Sequence, residues 1–343
     1  MAVKNDFKTL YYRTANCLTS DIIADMNPAS RVLGVDTTAG FGTVFTAMGS
    51  RFDTRFVAKE AFLATENYEC DTRSVDHVSV DEVMRYVRAQ TIAEDTLPEA
   101  YRPFVETVKK GESVYRQYHP VEIGGDGADV LFLMSPAHIE PEKAAAQFGN
   151  LAEKVGKSSL CTNAYGDCGH LKLQLGFLDE LDTEALQEAI SKHVCTVTDD
   201  QFVLDAILIQ LPELSEKVLF IDEFLAQNAD ILDLRSSAKI VLHESGTVQR
   251  LYPERKVCYC KLLPGAELVR PARSGYDTTD SGLAGGLGLV EPQAMLAISA
   301  RRMEDLEREQ ADVILTPCAC EAAGLNCAEK AHVTTLLEYA ASL

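Results

Sequence analysis

Residues 311–324 read ADVILTPCACEAAG and contain the pattern that decides the fold. The apolar, partly β-branched run 313–315 is typical of a buried strand, and Thr316-Pro317 ends it. The preceding residues 291–310, EPQAMLAISARRMEDLEREQ, have apolar residues at helical spacing after a proline. A helix that leads directly into a buried strand is the repeating unit of a parallel sheet. This stretch therefore predicts an α/β fold.

Strands and helices alternate in the same way from residue 129 onward. The predicted strands cover 129–135, 202–210, 238–245, 266–271 and 312–316, and the predicted helices cover 140–156, 183–194 and 291–310. The phrases LDAILIQLPEL (204–214) and ADVILTPCACE (311–321) both read as the end of a helix, an aspartate, an apolar strand and a loop. This repetition indicates an internal duplication.

The first third of the chain has a different pattern. VDEVMRYVRAQTIAE (80–94) and EAYRPFVETVKKG (99–111) have helical spacing, and the turn-rich YHPVEIGGDGAD (118–129) is typical of a linker. We therefore predict three domains. They are a helical domain over 1–118 and two parallel-sheet, Rossmann-like halves over 119–236 and 237–343.

The charge of the chain limits its partners. The formal net charge is −20, from 52 acidic and 32 basic residues, and a protein that neutralises phosphates needs the opposite balance. We therefore expect no nucleic acid partner. The longest apolar runs are far shorter than the roughly 20 residues that span a bilayer, and the N-terminal segment lacks the apolar region of a secretory signal. These features predict a cytoplasmic protein without direct membrane insertion.

Ten cysteines in a chain without a secretory signal indicate thiols, metal ligands or redox groups rather than disulfides. No C-x2-C motif is present. Cys318 and Cys320 follow the strand over 312–316, which is a common place for ligands in α/β folds. They are interpreted either as one part of a redox or metal site or as a remnant cysteine beside a buried one.

Two zinc sites are alternatives. Two C-x-C pairs provide four thiolates, the number in a tetrahedral zinc centre, so Cys258 and Cys260 could complete a site with Cys318 and Cys320. The other candidate set is Cys161, Cys168, His170, His193 and Cys195. His243 follows a strand and is interpreted as a structural histidine.

Two glycine-rich stretches have weak phosphate-binding patterns. GLAGGLG (282–288) precedes the helix over 291–310, where helix N-termini favour anions, but it lacks the Lys-Ser/Thr of a P-loop. VDTTAGFGT (35–43) is similar. A packing turn is the preferred interpretation of both.

The order of parts over residues 265–325 resembles the second Cys-Cys-Gly domain of heterodisulfide-reductase and glycolate-oxidase iron–sulfur subunits. The shared parts are a Gly-Ala-Glu-Leu strand, a Ser-Gly turn, a Gly-rich loop, a Pro-started helix with paired arginines and the ending Ala-Asp-Val-Ile-Leu-Thr-Pro-Cys. The resemblance implies that an iron–sulfur centre, which typically needs four cysteine thiolates, was bound at such sites in relatives of this chain.

Most of the ligand positions implied by the resemblance hold other residues. At the second site, the strand-end position is Gly246, the Cys-Cys-Gly stretch falls in 277–280, and the final C-x2-C reads Cys318 and Glu321, with Cys320 one residue out of register. At the first site, the corresponding residues are Ser135, the Asp167-Cys168-Gly169 stretch, Leu211 and Leu214.

The N-terminal third resembles the two-cluster ferredoxin module that precedes these domains, whose run is C-x2-C-x2-C-x3-C-P. Cys17 and Cys70 stand at the first place of each run. The remaining ligand places hold Ser20, Ile23 and Asn27 in one run and Arg73, Asp76 and Val80 in the other.

The resemblance implies a degenerate member of this iron–sulfur family, without a cofactor and not catalytic by itself. It would be a cluster-free structural or accessory subunit of an electron-transfer complex of anaerobic metabolism, bound to an intact iron–sulfur or flavin subunit. Its remnant ligand positions are Cys17, Cys70, Cys168, Cys318 and Cys320. In the alternative, one remodelled iron–sulfur cluster or zinc centre still transfers electrons or reduces a disulfide, so that the chain is an oxidoreductase. A small-ligand sensor that uses the vacated pocket is a third possibility.

Overall fold

A computed structural model of the chain describes residues 53–56, 58–63, 68, 80–125, 127–177, 181, 183–283 and 286–343. The chain divides into two compact units. The helical unit contains residues 1–112, 171–180 and 279–299, and the sheet unit contains residues 113–170, 181–278 and 300–343. The predicted α/β fold is confirmed, because parallel strands connected by helices form the sheets.

The described elements between residues 53 and 112 of the helical unit are helical, as the spacing of apolar residues predicts for 80–94 and 99–111. They are α1 (Ala58–Leu63), α2 (Val80–Ala93) and α3 (Arg102–Lys109), with short 3-10 turns at Thr54–Phe56 and Glu99–Tyr101. Arg88 of α2 is buried and donates hydrogen bonds to the carbonyls of Ala61 at 2.8 Å and Gln174 at 3.2 Å. These bonds satisfy a charged side chain that burial would otherwise penalise.

The first half of the sheet unit is built around a five-stranded sheet. The elements in chain order from residue 122 are β1 (Glu122–Ile123), β2 (Val130–Leu133), α4 (Pro141–Lys154), β3 (Ser159–Thr162), α5 (His170–Gln174), α6 (Glu184–Lys192), β4 (Cys195–Thr198), α7 (Gln201–Gln210), β5 (Val218–Phe220), α8 (Ile221–Gln227) and α9 (Ala229–Leu232). Of these, α5 belongs to the helical unit from residue 171 onward. A 3-10 segment, Pro212–Lys217, precedes β5. The strand order is β1-β3-β2-β4-β5, and all neighbours are parallel except β1 and β3.

The described elements after residue 238 include a four-stranded parallel sheet with its helices, and those within 279–299 belong to the helical unit. They are β6 (Lys239–Leu242), α10 (Gly246–Leu251), α11 (Tyr259–Leu262), β7 (Glu267–Val269), α12 (Leu287–Val290), α13 (Pro292–Glu307), β8 (Val313–Thr316), α14 (Ala319–Asn326), β9 (Val333–Thr335) and α15 (Leu336–Ser342). Short 3-10 turns lie at Pro253–Arg255 and Gly275–Asp277. The strand order is β7-β6-β8-β9.

One hydrophobic core joins the two sheets of the sheet unit. The β2 sequence VLFL is buried at every position, as expected for a parallel strand that is covered on both faces. Phe132 of β2 stacks on Phe148 of α4 with ring centroids 4.0 Å apart. Ile240 of β6 and Leu315 of β8 belong to the same buried cluster. The two halves therefore share their core rather than each forming a separate one.

The strand predicted over 202–210 is wrong, because these residues form helix α7. Asp200 caps this helix, and its carboxylate accepts the backbone N–H of Phe202 at 2.9 Å. Residues 201–207 are all buried, so the polar face that marks most helices is missing from this one. The true strand, β4, has only four residues and lies directly before the helix cap.

The two halves repeat the same strand order, but the elements that correspond are not the ones that the sequence phrases predict. The orders β3-β2-β4-β5 and β7-β6-β8-β9 are equivalent, so β4 rather than the residues of α7 corresponds to β8. Each of these two strands is followed by a helix, α7 or α14. The repeated helix-and-strand phrase in the sequence was therefore matched to the wrong element in the first half.

Candidate functional site

Buried polar and sulfur-containing side chains follow the carboxyl ends of the central parallel strands. Such ends meet at one edge of a parallel sheet and are the usual place for functional groups in α/β folds. We call this group the strand-end cluster; its members are Ser135, Asp199, Asp200, Gln201, His243, Ser245, Cys318, Cys320 and Glu321, each 3% exposed or less.

Asp199 joins the end of β2 to the end of β4. One of its carboxylate oxygens accepts the backbone N–H of Ser135 at 3.0 Å, and the other lies 2.6 Å from Nε2 of His138. Burial disfavours the charged imidazole of His138, but the Asp199 carboxylate outweighs burial and raises the pKa of His138 above its ordinary value. Asp199 therefore orients His138 and favours its protonated form.

Asp200 has a structural contact on each carboxylate oxygen. Oδ1 caps α7 through Phe202, and Oδ2 accepts the hydroxyl hydrogen of Ser135 at 2.6 Å. Burial raises the pKa of Asp200 to about 6, although both hydrogen bonds favour the ionised form. The site therefore contains a carboxyl group that changes its charge near neutral pH.

Gln201 bridges the two halves of the sheet unit. Its amide nitrogen donates to Glu321 at 3.1 Å, and its amide oxygen accepts hydrogen bonds from the Ser245 hydroxyl and from the backbone N–H of Thr247. The backbone N–H of Gln201 also lies 3.5 Å from the sulfur of Cys318. Gln201, which follows β4 in the chain, therefore contacts the residues that follow both β6 and β8.

Glu321 belongs to a buried chain of hydrogen bonds with His243 and Arg302. Nδ1 of His243 lies 3.1 Å from Nε of Arg302, which can only donate, so Nδ1 accepts. Nε2 of His243 therefore carries the ring proton and donates a hydrogen bond to Glu321 at 3.0 Å. This arrangement agrees with the structural role predicted for His243. The charges of Arg302 and Glu321 compensate each other, as a buried site requires.

The cysteines of the cluster are buried thiols. Cys318 is the N-cap residue of α14, Cys320 lies in its first turn, and the Cys320 sulfur lies 3.8 Å from the hydroxyl of Tyr115. Burial, followed by the nearby charge of Asp200, raises the pKa values of Cys318 and Cys320 well above the usual thiol value. Both are protonated at neutral pH, and a protonated thiol is a poor nucleophile and a poor metal ligand.

The structure brings three of the predicted remnant positions into one neighbourhood. Burial and then the charges of Asp167 and Asp200 raise the pKa of Cys168, and Asp200 acts in the same way on Cys318 and Cys320. The charge of Asp200 therefore acts on cysteines from both halves of the duplication. Cys17 and Cys70 lie outside the described residues.

The structure does not assemble either of the alternative zinc sites. Cys258 and Cys260 are exposed, whereas Cys318 and Cys320 are buried. In the other candidate set, Cys161 and Cys195 lie on β3 and β4, with β2 between them, a separation of roughly 10 Å from strand spacing alone. Within the ranges that the structure describes, no three His, Cys, Asp or Glu side chains are arranged to hold a metal ion.

Leu211 and Leu214 do not follow a strand, as their assignment to first-half ligand positions required. Leu211 ends α7, and Leu214 lies in the 3-10 segment that follows it. Because β4 and α7 correspond to β8 and α14, the counterpart of Cys318 is Asp200, and both are N-cap residues. The missed signal is the sequence TVTDDQ (196–201), in which two acidic residues follow a β-branched run.

The second-half strand-end assignment also shifts. Gly246 is the first residue of α10, and β6 ends at Leu242. The group at the end of β6 is therefore His243, which sequence reasoning placed after a strand without a functional role. Of the two glycine-rich stretches, VDTTAGFGT (35–43) lies outside the described residues, and so do residues 284 and 285 of GLAGGLG (282–288).

A shallow groove of about 260 Å³ lies beside His138. Its lining includes His138, Lys143, Ala319, Asn326, His332 and Glu338. Lys143 and Glu338 form an ion pair across it at 2.9 Å. His138, whose side chain is mostly buried, lines this groove, whereas its partner Asp199 does not. The polar network therefore reaches the surface through His138.

Comparisons of the chain with family models, with curated proteins and with solved structures find no match. Among the described residues, every helix is too short or too polar to cross a lipid bilayer.

Proposed function

We propose that the chain is a cluster-free structural or accessory subunit of a larger iron–sulfur or flavin oxidoreductase complex. The observation that carries this proposal is the hydrogen bonding of the strand-end cluster. Where the resemblance implies cofactor ligands, Asp200 binds Ser135 and caps a helix, and Gln201 binds Glu321 and Ser245. Protein groups satisfy one another at the positions where a cofactor would need free thiolates.

The state of the thiols also supports this function. An iron–sulfur cluster is held by deprotonated cysteines, typically four of them. The strand-end cluster contributes Cys318 and Cys320, and Cys168 is the third buried remnant position; burial and then nearby carboxylates, Asp200 among them, raise the pKa values of all three thiols. A carboxylate that takes the place of a thiolate and opposes ionisation of its neighbours favours a packed polar core over a metal centre.

The partner follows from the resemblance. The relatives it implies pass electrons within multi-subunit assemblies, so the partner is an intact iron–sulfur or flavin subunit. A chain that retains the fold without the cluster would act there as a docking surface, through which the assembly is held together. Tagged full-length protein isolated from its native host should bring down a stoichiometric iron–sulfur or flavin protein. Isolation of the chain alone under mild, low-salt conditions would contradict the accessory role.

Iron, zinc and acid-labile sulfide analysis of full-length protein purified without oxygen tests the absence of a centre. We expect far less than one iron or zinc per chain and no visible charge-transfer band, because the thiols are protonated and enclosed. Cys318→Ser is the matched variant and should leave this metal content unchanged. Stoichiometric iron and sulfide that disappear in Cys318→Ser would overturn the proposal.

The shared effect of Asp200 on the pKa values of Cys168, Cys318 and Cys320 motivates one alternative, a remodelled centre that transfers electrons or reduces a disulfide. The same measurement separates the two functions, because only the remodelled centre requires bound metal.

A further inference from the structure

Two cysteines outside the strand-end cluster lie side by side on the surface of the sheet unit. The sulfurs of Cys258 and Cys260 are 3.0 Å apart, and both residues are exposed. A disulfide requires about 2.05 Å between its sulfurs, so this pair is a dithiol about 1 Å from bonding distance. Cys161, Cys168, Cys318 and Cys320, by contrast, are buried.

The neighbouring residues hold the two thiols in this arrangement. Tyr259, between them, packs against the core, and its hydroxyl donates to Asp222 at 2.9 Å. Val257 packs against the same core, and Leu262 and Leu263 are buried in it. Val257 and Tyr259 are partly buried, whereas Cys258 and Cys260 on either side of the tyrosine are exposed. Packing of the surrounding residues against the core therefore holds the two thiols next to each other.

The two thiols are chemically different. The Cys260 thiol and the backbone N–H of Lys261 stabilise the thiolate of Cys258 and lower its pKa. The same contact with Cys258 raises the pKa of Cys260. An attacking thiolate and a neighbouring thiol that resolves the mixed disulfide are the two parts needed for thiol–disulfide exchange. The charge of Lys261 favours the thiolate further, and Lys256 and Lys261 on either side of the pair attract small anionic disulfides.

We propose that Cys258 and Cys260 form a redox-active dithiol that exchanges with small anionic disulfides of the glutathione type. The Cys258 thiolate attacks one sulfur of the disulfide, whose S–S bond breaks, and the first thiolate leaves and takes up a proton. The Cys260 thiol loses its proton and attacks the Cys258 sulfur of the mixed disulfide, and the second thiolate leaves. The two cysteines are oxidised by two electrons to a Cys258–Cys260 disulfide, and the small disulfide is reduced to two thiols.

This site goes beyond the proposed accessory function and is independent of it. It needs no metal, and none of its residues belongs to the strand-end cluster. A failure of the dithiol would leave the accessory role untouched, and bound iron in the strand-end cluster would leave the dithiol untouched.

The test uses the full-length chain equilibrated in buffers with different ratios of reduced to oxidised glutathione. After acid quenching and alkylation with N-ethylmaleimide, trypsin releases the peptide VCYCK (257–261), which contains both cysteines and no others. As the buffer becomes more oxidising, we expect this peptide to lose both alkyl groups together and to become two hydrogens lighter than the dithiol. Retention of both alkyl groups at every ratio, or a separate glutathione on each cysteine, would overturn the proposal.

Single variants assign the two roles. Cys260→Ser should accumulate glutathione on Cys258, because the resolving thiol is absent. Cys260→Ser keeps the backbone N–H of Lys261 beside the Cys258 sulfur, so it should react with oxidised glutathione several-fold faster than Cys258→Ser. Cys327→Ser is the control, because Cys327 is also exposed but its sulfur contacts the carbonyl of Ala323. It should leave the oxidation of VCYCK unchanged. Equal rates for the two single variants would contradict the assigned roles.

Discussion

Asp222 shows how much a single buried carboxyl group can determine. It lies on α8, where one oxygen accepts the hydroxyl of Tyr259 and the other has no hydrogen-bond partner among the described residues. Burial raises its pKa to about 7, so the folded protein holds a proton that the unfolded chain releases near pH 4. Its hydrogen bond holds the tyrosine that lies between the two exposed thiols, and its burial lowers the free energy of unfolding by an amount that depends on pH.

The sign of this pH dependence follows from proton linkage. Between about pH 4 and pH 7, the folded state binds more protons than the unfolded state at this residue, so its contribution makes stability fall as pH rises. The loss is complete above pH 7, and its upper limit is about 4 kcal/mol, from roughly 1.4 kcal/mol for each pKa unit. Below pH 4 the contribution disappears, because the carboxyl is protonated in both states.

Asp222→Asn should therefore stabilise the protein by about 1–3 kcal/mol at pH 8 and change its stability little at pH 4.5. Urea denaturation at the two pH values measures the difference. Asp230→Asn, at an exposed aspartate on α9, is the control and should have little effect at either pH. A variant that is equally stabilised at both pH values would exclude titration of Asp222 as the cause.

At the scale of one element, helix α7 shows where sequence patterns mislead. FVLDAILIQ (202–210) is nearly all apolar, and an apolar run of this length fits either a buried strand or a buried helix. Two facts that are not visible in periodicity decide for the helix. Asp200 caps its first turn, and β4 already fills the sheet position beside β2. The β-branched run of β4 is only four residues long and lies directly after the helix predicted over 183–194, so the pattern predicts no strand there.

Ile207 and Ile209 test this element. In a strand, residues two apart share a face, but in a helix they lie about 200° apart. Ile207 is fully buried, whereas Ile209 is 42% exposed. Ile207→Ala should therefore cost about 2–5 kcal/mol of unfolding free energy. Ile209→Ala should change it by roughly 0.5 kcal/mol or less. Chemical denaturation measures both, and similar costs for the two variants would contradict the helix.

At the scale of the sheet unit, the two halves are held by apolar and polar contacts between them. The apolar part is the shared core, and the polar part is centred on Gln201, which reaches Glu321, 120 residues along the chain. Because these groups are buried, removing one partner leaves another unsatisfied, which costs about 1–3 kcal/mol. The polar network therefore fixes the register between the halves in addition to stabilising them.

A double-mutant cycle measures this coupling. Gln201→Ala and Ser245→Ala should each destabilise the protein by about 1–3 kcal/mol. Together they should cost less than their sum, by about 0.5–1.5 kcal/mol, because they remove the same hydrogen bond.

Thr335→Ala provides the control for the cycle. Thr335 caps α15 by accepting the N–H of Glu338 at 3.1 Å and shares no hydrogen bond with Gln201. Its effect, about 1 kcal/mol, should add to that of Gln201→Ala. Additivity in both pairs would show that Gln201 does not couple the halves.

The sequence by itself determined the features that depend on neighbouring residues. Apolar spacing identified the helices α2, α4, α6 and α13, and continuous apolar runs identified the strands β2, β6 and β8. These were predictable because backbone sterics and burial act over one or two turns and leave a local period. The α/β class followed from their alternation. The family resemblance and the function it implies stay predictions.

Only the tertiary structure decided which distant residues meet. It placed Asp200 at the position equivalent to Cys318, joined Gln201 to Glu321, and exposed Cys258 and Cys260 on either side of a partly buried tyrosine. None of these pairings leaves a local period, because each depends on strand order and on the register between sheets. Strand order is set by the total burial of a whole unit, a quantity that no short stretch of sequence contains.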